Sequence, residues 1–209
     1  MAHGVLAGWD RAVQSLKGRD MVLARIIDAV GPCSLVLEHD AFRSLAGAII
    51  HQQLSMKAAH TILTRFAALY PERSFPLAAD VLNTADDALR EVGLSFRKVQ
   101  YLKDLAHKLV DGVIVPVHFD DLADQEIIEQ LIKVKGIGRW SAEMFLIFSL
   151  GRPNVLPVGD LGLQRAVQLQ YGAAEPVAQL RQLAERWEPY CTVSTWYLWK
   201  SLGSEPALR

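Results

Sequence analysis

A chain of 209 residues, 51% of them apolar, can bury one sizeable core or two small ones. A net charge of −1 excludes a global positive field, so a polyanionic partner must be held by a local patch and by backbone N–H groups. Two cysteines, Cys33 and Cys191, without C-x-x-C spacing indicate neither a disulfide framework nor a zinc site, and the absence of a leader-like start or a membrane-length apolar run points to a soluble cytoplasmic protein.

Strand signals are nearly absent, and the chain reads as all-α. Arg19 to Val30 is amphipathic and stops at Gly31-Pro32. A long apolar helix is expected from Phe42 to about Gln53, with Asp40 as its N-cap. Ser55 caps a helix that ends before Pro71. Pro76 to Leu82 and Thr84 to Val92 form two short helices, with Thr84 and Asp87 spaced as a capping box. Ser95 begins a helix that runs to about Leu109. Asp111-Gly112 and Pro116 mark a linker, followed by an apolar-periodic run from Glu126 to Ile132. Gly136 and Gly138 then break the helix, and Trp140, Met144, Phe145, Ile147 and Phe148 resume it. Pro153 and Pro157 frame a loop that ends at Asp160. Leu161 to Tyr171, Val177 to Trp187 and Thr192 to Leu202 complete the helices.

The arrangement around Gly136-Ile137-Gly138 is helix, hairpin, helix. Two glycines let a phosphate approach the peptide plane, and the first N–H groups of the second helix face it with the helix dipole behind them. Ile137 plugs between the helices. Lys133, Lys135, Arg139, Arg97 and Lys98 offer a phosphate-facing patch, although charged residues at helix ends are often merely solvated. A lone G-x-G, taken by itself, is more readily a tight turn between helices. Asp160, read alone, is an N-cap for Leu161 to Gln164 or a functional carboxylate, and the two roles are compatible.

Four motifs occur in order along nearly the whole chain: I-I-H-Q-Q-L-S, G-L-S-F-R-K, K-G-I-G-R-W-S-A and L-P-V-G-D. In these the chain resembles the helix-hairpin-helix DNA glycosylases with a Gly/Pro-rich loop and an aspartate, and within them the 3-methyladenine DNA glycosylase II (alkylbase) branch. The resemblance implies two helical lobes, one about 33–115 and the other about 1–32 plus 116–209, with a cleft between them for a flipped base. It implies that Asp160 stabilises the oxocarbenium-like transition state of N-glycosidic cleavage. Bifunctional relatives carry a Schiff-base lysine where Trp140 stands, so a monofunctional enzyme is expected that leaves the strand intact. Trp140 and Trp199 match aromatic positions that attract a cationic base, although Trp199 reads equally as a core aromatic. Met144 replaces an aromatic of the base pocket found in some relatives. Gln53 matches the side chain that fills the hole left by the extruded nucleotide.

The same resemblance places a monovalent cation, Na+ or K+, on the backbone carbonyls of Ile132, Val134 and Ile137. No organic cofactor is implied, and the sequence has no cysteines to ligate the iron–sulfur cluster of the endonuclease III-like branch. The expected partner is double-stranded DNA with damaged bases, met by a monomer in the cytoplasm near the nucleoid, with no membrane involved. Expected substrates are 3-methyladenine and 7-methylguanine. Larger relatives have an N-terminal β-rich domain, and its lack predicts a more open pocket that also admits 1-methyladenine or 3-methylcytosine. His51 and His60 read as ordinary surface or helix-end residues, and Trp196 as core. The rival readings are a non-enzymatic helix-hairpin-helix DNA-binding module and a helical protein-interaction domain.

Overall fold

The computed structural model describes residues 8–203. Among them are twelve α-helices, one 3-10 turn and no strand, in agreement with the expected all-α class. Two compact units are formed, one from 8–37 with 146–203 and the other from 38–145.

The chain opens with α1 (Trp9–Arg19) and α2 (Met21–Val30), both in the unit assembled from the two ends. The middle unit follows, with α3 (Ala41–His51), α4 (Met56–Ala68), α5 (Ala78–Asn83), α6 (Asp86–Glu91) and α7 (Phe96–Val110). A 3-10 turn at Pro116–Asp121 leads to α8 (Asp124–Leu131) and α9 (Arg139–Phe148), and then α10 (Leu161–Tyr171), α11 (Pro176–Trp187) and α12 (Cys191–Ser201) return to the first unit.

The first of these helices is not in the periodic reading, which starts at Arg19. Its signal is the spacing of Trp9, Ala12 and Leu16, all buried. Asp20 separates it from α2 by an extended backbone and caps α2 through the N–H groups of Val22 and Leu23. The other oxygen of Asp20 accepts from Tyr171 Oη at 2.8 Å and Trp187 Nε1 at 3.0 Å, so one buried carboxylate ties α2 to α10 and α11. Burial, then the neighbouring Asp20 charge, pushes the Tyr171 phenol well above its ordinary value, and it stays a donor. Within this unit α12 is buried along its whole length from Cys191 to Trp199, as expected of a central helix. Burial also raises the Cys191 thiol to about 12, so it packs as a small apolar group.

In the middle unit α7 packs against α3 and α5, burying Val99, Leu102, Leu105 and Ala106. Asp40, Ser55 and Ser95 cap their helices as expected, each accepting an N–H three residues on. The Thr84 and Asp87 capping box does not form. Thr84 instead ends α5, donating to the Asp80 carbonyl at 2.8 Å, and α6 starts at Asp86 with Ala85 as its N-cap.

The hairpin belongs with the middle unit, so the border expected near residue 116 lies at 145/146. Specific bonds hold it there. Asp104 accepts the Lys135 N–H at 2.9 Å, Gln52 reaches the Gly136 carbonyl at 2.7 Å, and Phe119 packs edge-on to Phe145.

Candidate active site and nucleic-acid interface

The loop from Leu156 to Asp160 is wound by two short backbone bonds, Val158 to Leu156 and Asp160 to Pro157, each 2.9 Å. Gln164 secures it from α10 through the Val158 carbonyl. Asp160 is thereby set at the N-cap of α10 and is 7% exposed. Its Oδ1 accepts the Leu163 N–H at 2.6 Å and the Trp199 indole N–H at 2.9 Å. Two donors on one oxygen hold the carboxylate in one orientation. The capping role is therefore real, and it acts together with the Trp199 bond.

Trp199 differs from the expected pocket wall. It is 1% exposed, its ring is stacked on Phe148 at 5.8 Å with 17° between planes, and its N–H is committed to Asp160. Gly162 leaves the space this arrangement needs, since a Cβ there would stand 3.2 Å from Asp160 Oδ1. Met144 likewise has no exposed surface and is a core residue of α9. Trp140, one turn earlier, keeps 36% of its surface.

In the hairpin the two glycines have different reasons. Gly136 sits at φ +84°, and a Cβ there would run into the Tyr101 ring. Gly138 has no left-handed backbone and open space around the Cβ position, so neither backbone strain nor crowding requires a glycine there. Ile137 and Val134 are buried as the plug. The first bond of α9 runs from Ala142 N–H to Gly138 C=O, so the Gly138 and Arg139 N–H groups lie ahead of the intrahelical ladder. Lys133, Lys135 and Arg139 are exposed around this end. Arg139 also spans Glu143 Oε1 at 2.9 Å and Gln125 Oε1 at 3.2 Å. The Val134 carbonyl accepts from Ile137 N–H, while those of Ile132 and Ile137 accept no backbone bond among the described residues.

Between α3 and α4 Gln53 is exposed and has φ +58°, the one non-glycine residue among those described with a left-handed backbone. It borders a cavity of about 660 Å³ shared with His51, Gln52, Arg97, Tyr101 and Trp140. His51 ends α3, as a helix-end residue would, but is buried and bonded through Nδ1 to the Gly47 carbonyl, whereas His60 is exposed on α4. Arg97 is exposed at the cavity, as a phosphate contact requires. Lys98 is not. Its ammonium donates to the carbonyls of Ile50 at 2.7 Å and Gln52 at 2.8 Å, closing the end of α3, and burial lowers its pKa.

Gln52, next to Gln53 in its motif, and Tyr101 and Asp104, which lie outside the four motifs, contact the turn and the hairpin. Burial raises the Asp104 carboxyl, but Lys108 and the Lys135 N–H outweigh it and the group lies below its ordinary value. Among the described residues no three His, Cys, Asp or Glu side chains converge to hold a metal ion, and no helix is long and apolar enough to cross a membrane.

Residues 46–189 match the model of the HhH-GPD superfamily of base excision DNA repair proteins. The chain belongs to that family. Its matched span takes in the Gln53 turn, the hairpin and Asp160 together. Among family relatives, DNA-3-methyladenine glycosylase 1 of Schizosaccharomyces pombe is 31% identical over 94% of this chain and 89% of its own length. A putative DNA-3-methyladenine glycosylase of Bacillus subtilis is 30% identical over 86% of this chain, which spans only 65% of that protein. The S. pombe enzyme solved with abasic DNA superposes with a TM-score of 0.83 over 92% of this chain and 97% of that one, at 31% identity. A Bacillus halodurans DNA-3-methyladenine glycosidase superposes at 0.85 with 36% identity, over 92% and 89% of the two chains.

Proposed function

We propose that this HhH-GPD protein is a monofunctional DNA glycosylase of the 3-methyladenine glycosylase II type, excising alkylated bases from duplex DNA by hydrolysis. The observation that carries the reading is Asp160, a buried carboxylate oriented by the Trp199 indole and the Leu163 N–H at the head of α10. As the base leaves, positive charge builds on C1′ of the sugar. A fixed anion beside that carbon stabilises the transition state more than the ground state, and it can take the proton of the attacking water. Alkylated purines that carry positive charge leave readily, so little acid assistance is needed. The exposed face of Trp140 attracts such a cationic base. It also offers no amine, which removes the imine route to strand cleavage.

Gln53 fits the role of the side chain that enters the duplex in place of the extruded nucleotide. The N–H groups of Gly138 and Arg139 fit a DNA phosphate, with Lys133, Lys135 and Arg97 adding local charge. The unused carbonyls of Ile132 and Ile137, with that of Val134, suit a monovalent cation, which would supply a positive charge between hairpin and phosphate. We infer 3-methyladenine and 7-methylguanine as first substrates, with 1-methyladenine and 3-methylcytosine as a second tier, a monomeric protein, and no organic cofactor.

The test is base release from a panel of duplexes, each with one defined lesion, scored by alkali cleavage of the abasic product. Release of an alkylated base with an intact backbone is expected. Tight, salt-dependent duplex binding with no release from any lesion would instead select the non-enzymatic DNA-binding module.

A further inference from the structure

One ridge of α7 touches both elements that meet DNA in the proposed function. Lys98, Tyr101 and Asp104 stand three residues apart, so they form a continuous stripe along the helix. At one end Lys98 clamps the carbonyls of Ile50 and Gln52, directly before Gln53. In the middle the Tyr101 ring occupies the space a side chain at residue 136 would need. At the far end Asp104 holds the Lys135 N–H, and Lys108 braces Asp104 at 2.6 Å. A direct tie runs alongside, from Gln52 Nε2 to the Gly136 carbonyl at 2.7 Å. The clamped turn contains the left-handed Gln53, a conformation that persists in a non-glycine residue only when its surroundings over-determine it.

We propose that Lys98 and Gln52 are positioning residues for Gln53, and that the α7 ridge is a strut holding the turn at a set distance from the hairpin. Seating the hairpin on a phosphate then delivers Gln53 to the base stack at one fixed offset. In this role the strut acts through the turn and the hairpin, its Lys98 ammonium being taken up by backbone carbonyls. It converts backbone binding, which carries no base information, into insertion at the nucleotide to be extruded. This role rests on the glycosylase reading, and it gives Lys98 a task distinct from a phosphate contact: a charge-neutral replacement should spare affinity and damage base extrusion.

The variants are Lys98→Met, which keeps the length of the side chain without its donors, Lys98→Arg, which restores donors, and Gln52→Met, which breaks only the direct tie and leaves the α3 end closed. Three quantities are read: affinity for undamaged duplex, fluorescence of a 2-aminopurine beside the lesion at saturating protein, and single-turnover base release. Release is measured with the lesion paired and with it opposite an abasic site, where the stack is already open. For Lys98→Met we expect affinity within about three-fold of wild type, loss of the fluorescence rise, and release from the paired lesion slowed about ten-fold or more. Release from the unpaired lesion should fall far less, Lys98→Arg should recover part of the loss, and Gln52→Met should show the same pattern more weakly.

Equal loss from paired and unpaired lesions in a folded variant would overturn the strut, as would an affinity loss that matches the loss of release. Should Lys98→Met not fold, Gln52→Met decides alone by the same ratio. A wild-type protein that releases no base sinks the glycosylase reading instead. The fluorescence arm still tests the strut in that case, because extrusion needs no bond cleavage.

Discussion

Asp160→Asn separates the cap from the chemistry. The substituted amide oxygen can still accept from Leu163 N–H and Trp199 Nε1, so α10 keeps its cap and the fold should persist. The formal negative charge is lost. At a separation of about 4 Å and an effective dielectric near 20, a carboxylate and a developing cation attract by about 4 kcal/mol. That corresponds to roughly a thousand-fold in rate. The assay is single-turnover release of 7-methylguanine from duplex with protein in excess, alongside a thermal melt and a duplex-binding titration. The expected result is a drop of about three decades in release, with Tm and affinity near wild type. Release within about ten-fold of wild type from a folded variant would reduce Asp160 to a cap and refute the mechanism. Asp160→Ala removes the cap as well, and should cost about 1 kcal/mol of stability beyond the same kinetic loss.

Trp199→Phe keeps the stack on Phe148 but removes one charge-assisted hydrogen bond to Asp160, so release should slow about ten-fold at unchanged duplex affinity. A large affinity loss instead would return Trp199 to the base pocket. Because Trp140 stands at the imine position, borohydride should trap no protein–DNA adduct, and the product strand should break only in alkali; a trapped adduct would require another amine nucleophile. Gly138→Asp should weaken binding to damaged and undamaged duplex alike, and more than Gly138→Ala, with Tm unchanged because the Cβ position is open. Gly136→Ala should show the opposite profile, a loss of at least about 1 kcal/mol in urea unfolding, from the left-handed backbone and the Tyr101 ring. If Gly138→Asp, folded, binds as tightly as wild type, the hairpin is not the phosphate anchor.

Helix positions, most caps and the order of motifs were legible in the sequence, because helix periodicity, capping and Gly-Pro punctuation act over three or four residues. Asp40, Ser55, Ser95 and Asp160 cap where a local reading places them. The same locality explains the misses. Thr84 has a carbonyl of α5 within reach, and the spacing to Asp87 cannot show which end it will serve. Lys98 reads as one more cation in a basic run, yet its ammonium is taken up by carbonyls 46 and 48 residues away. Trp199 and Met144 sit at positions where an aromatic or apolar residue suits either a pocket or a core, and only packing distinguished them. Trp199 turned inward to hold a carboxylate 39 residues distant, and Met144 was covered completely. The hairpin joined the middle unit for the same reason, through Gln52 and Asp104, whose hydrogen bonds cross 84 and 31 residues of chain. Sequence spacing determined which residues could share a helix face. Which of them met a partner, and so became anchor, clamp or core, was decided by long-range packing, since burial and hydrogen-bond pairing depend on neighbours that local pattern does not specify.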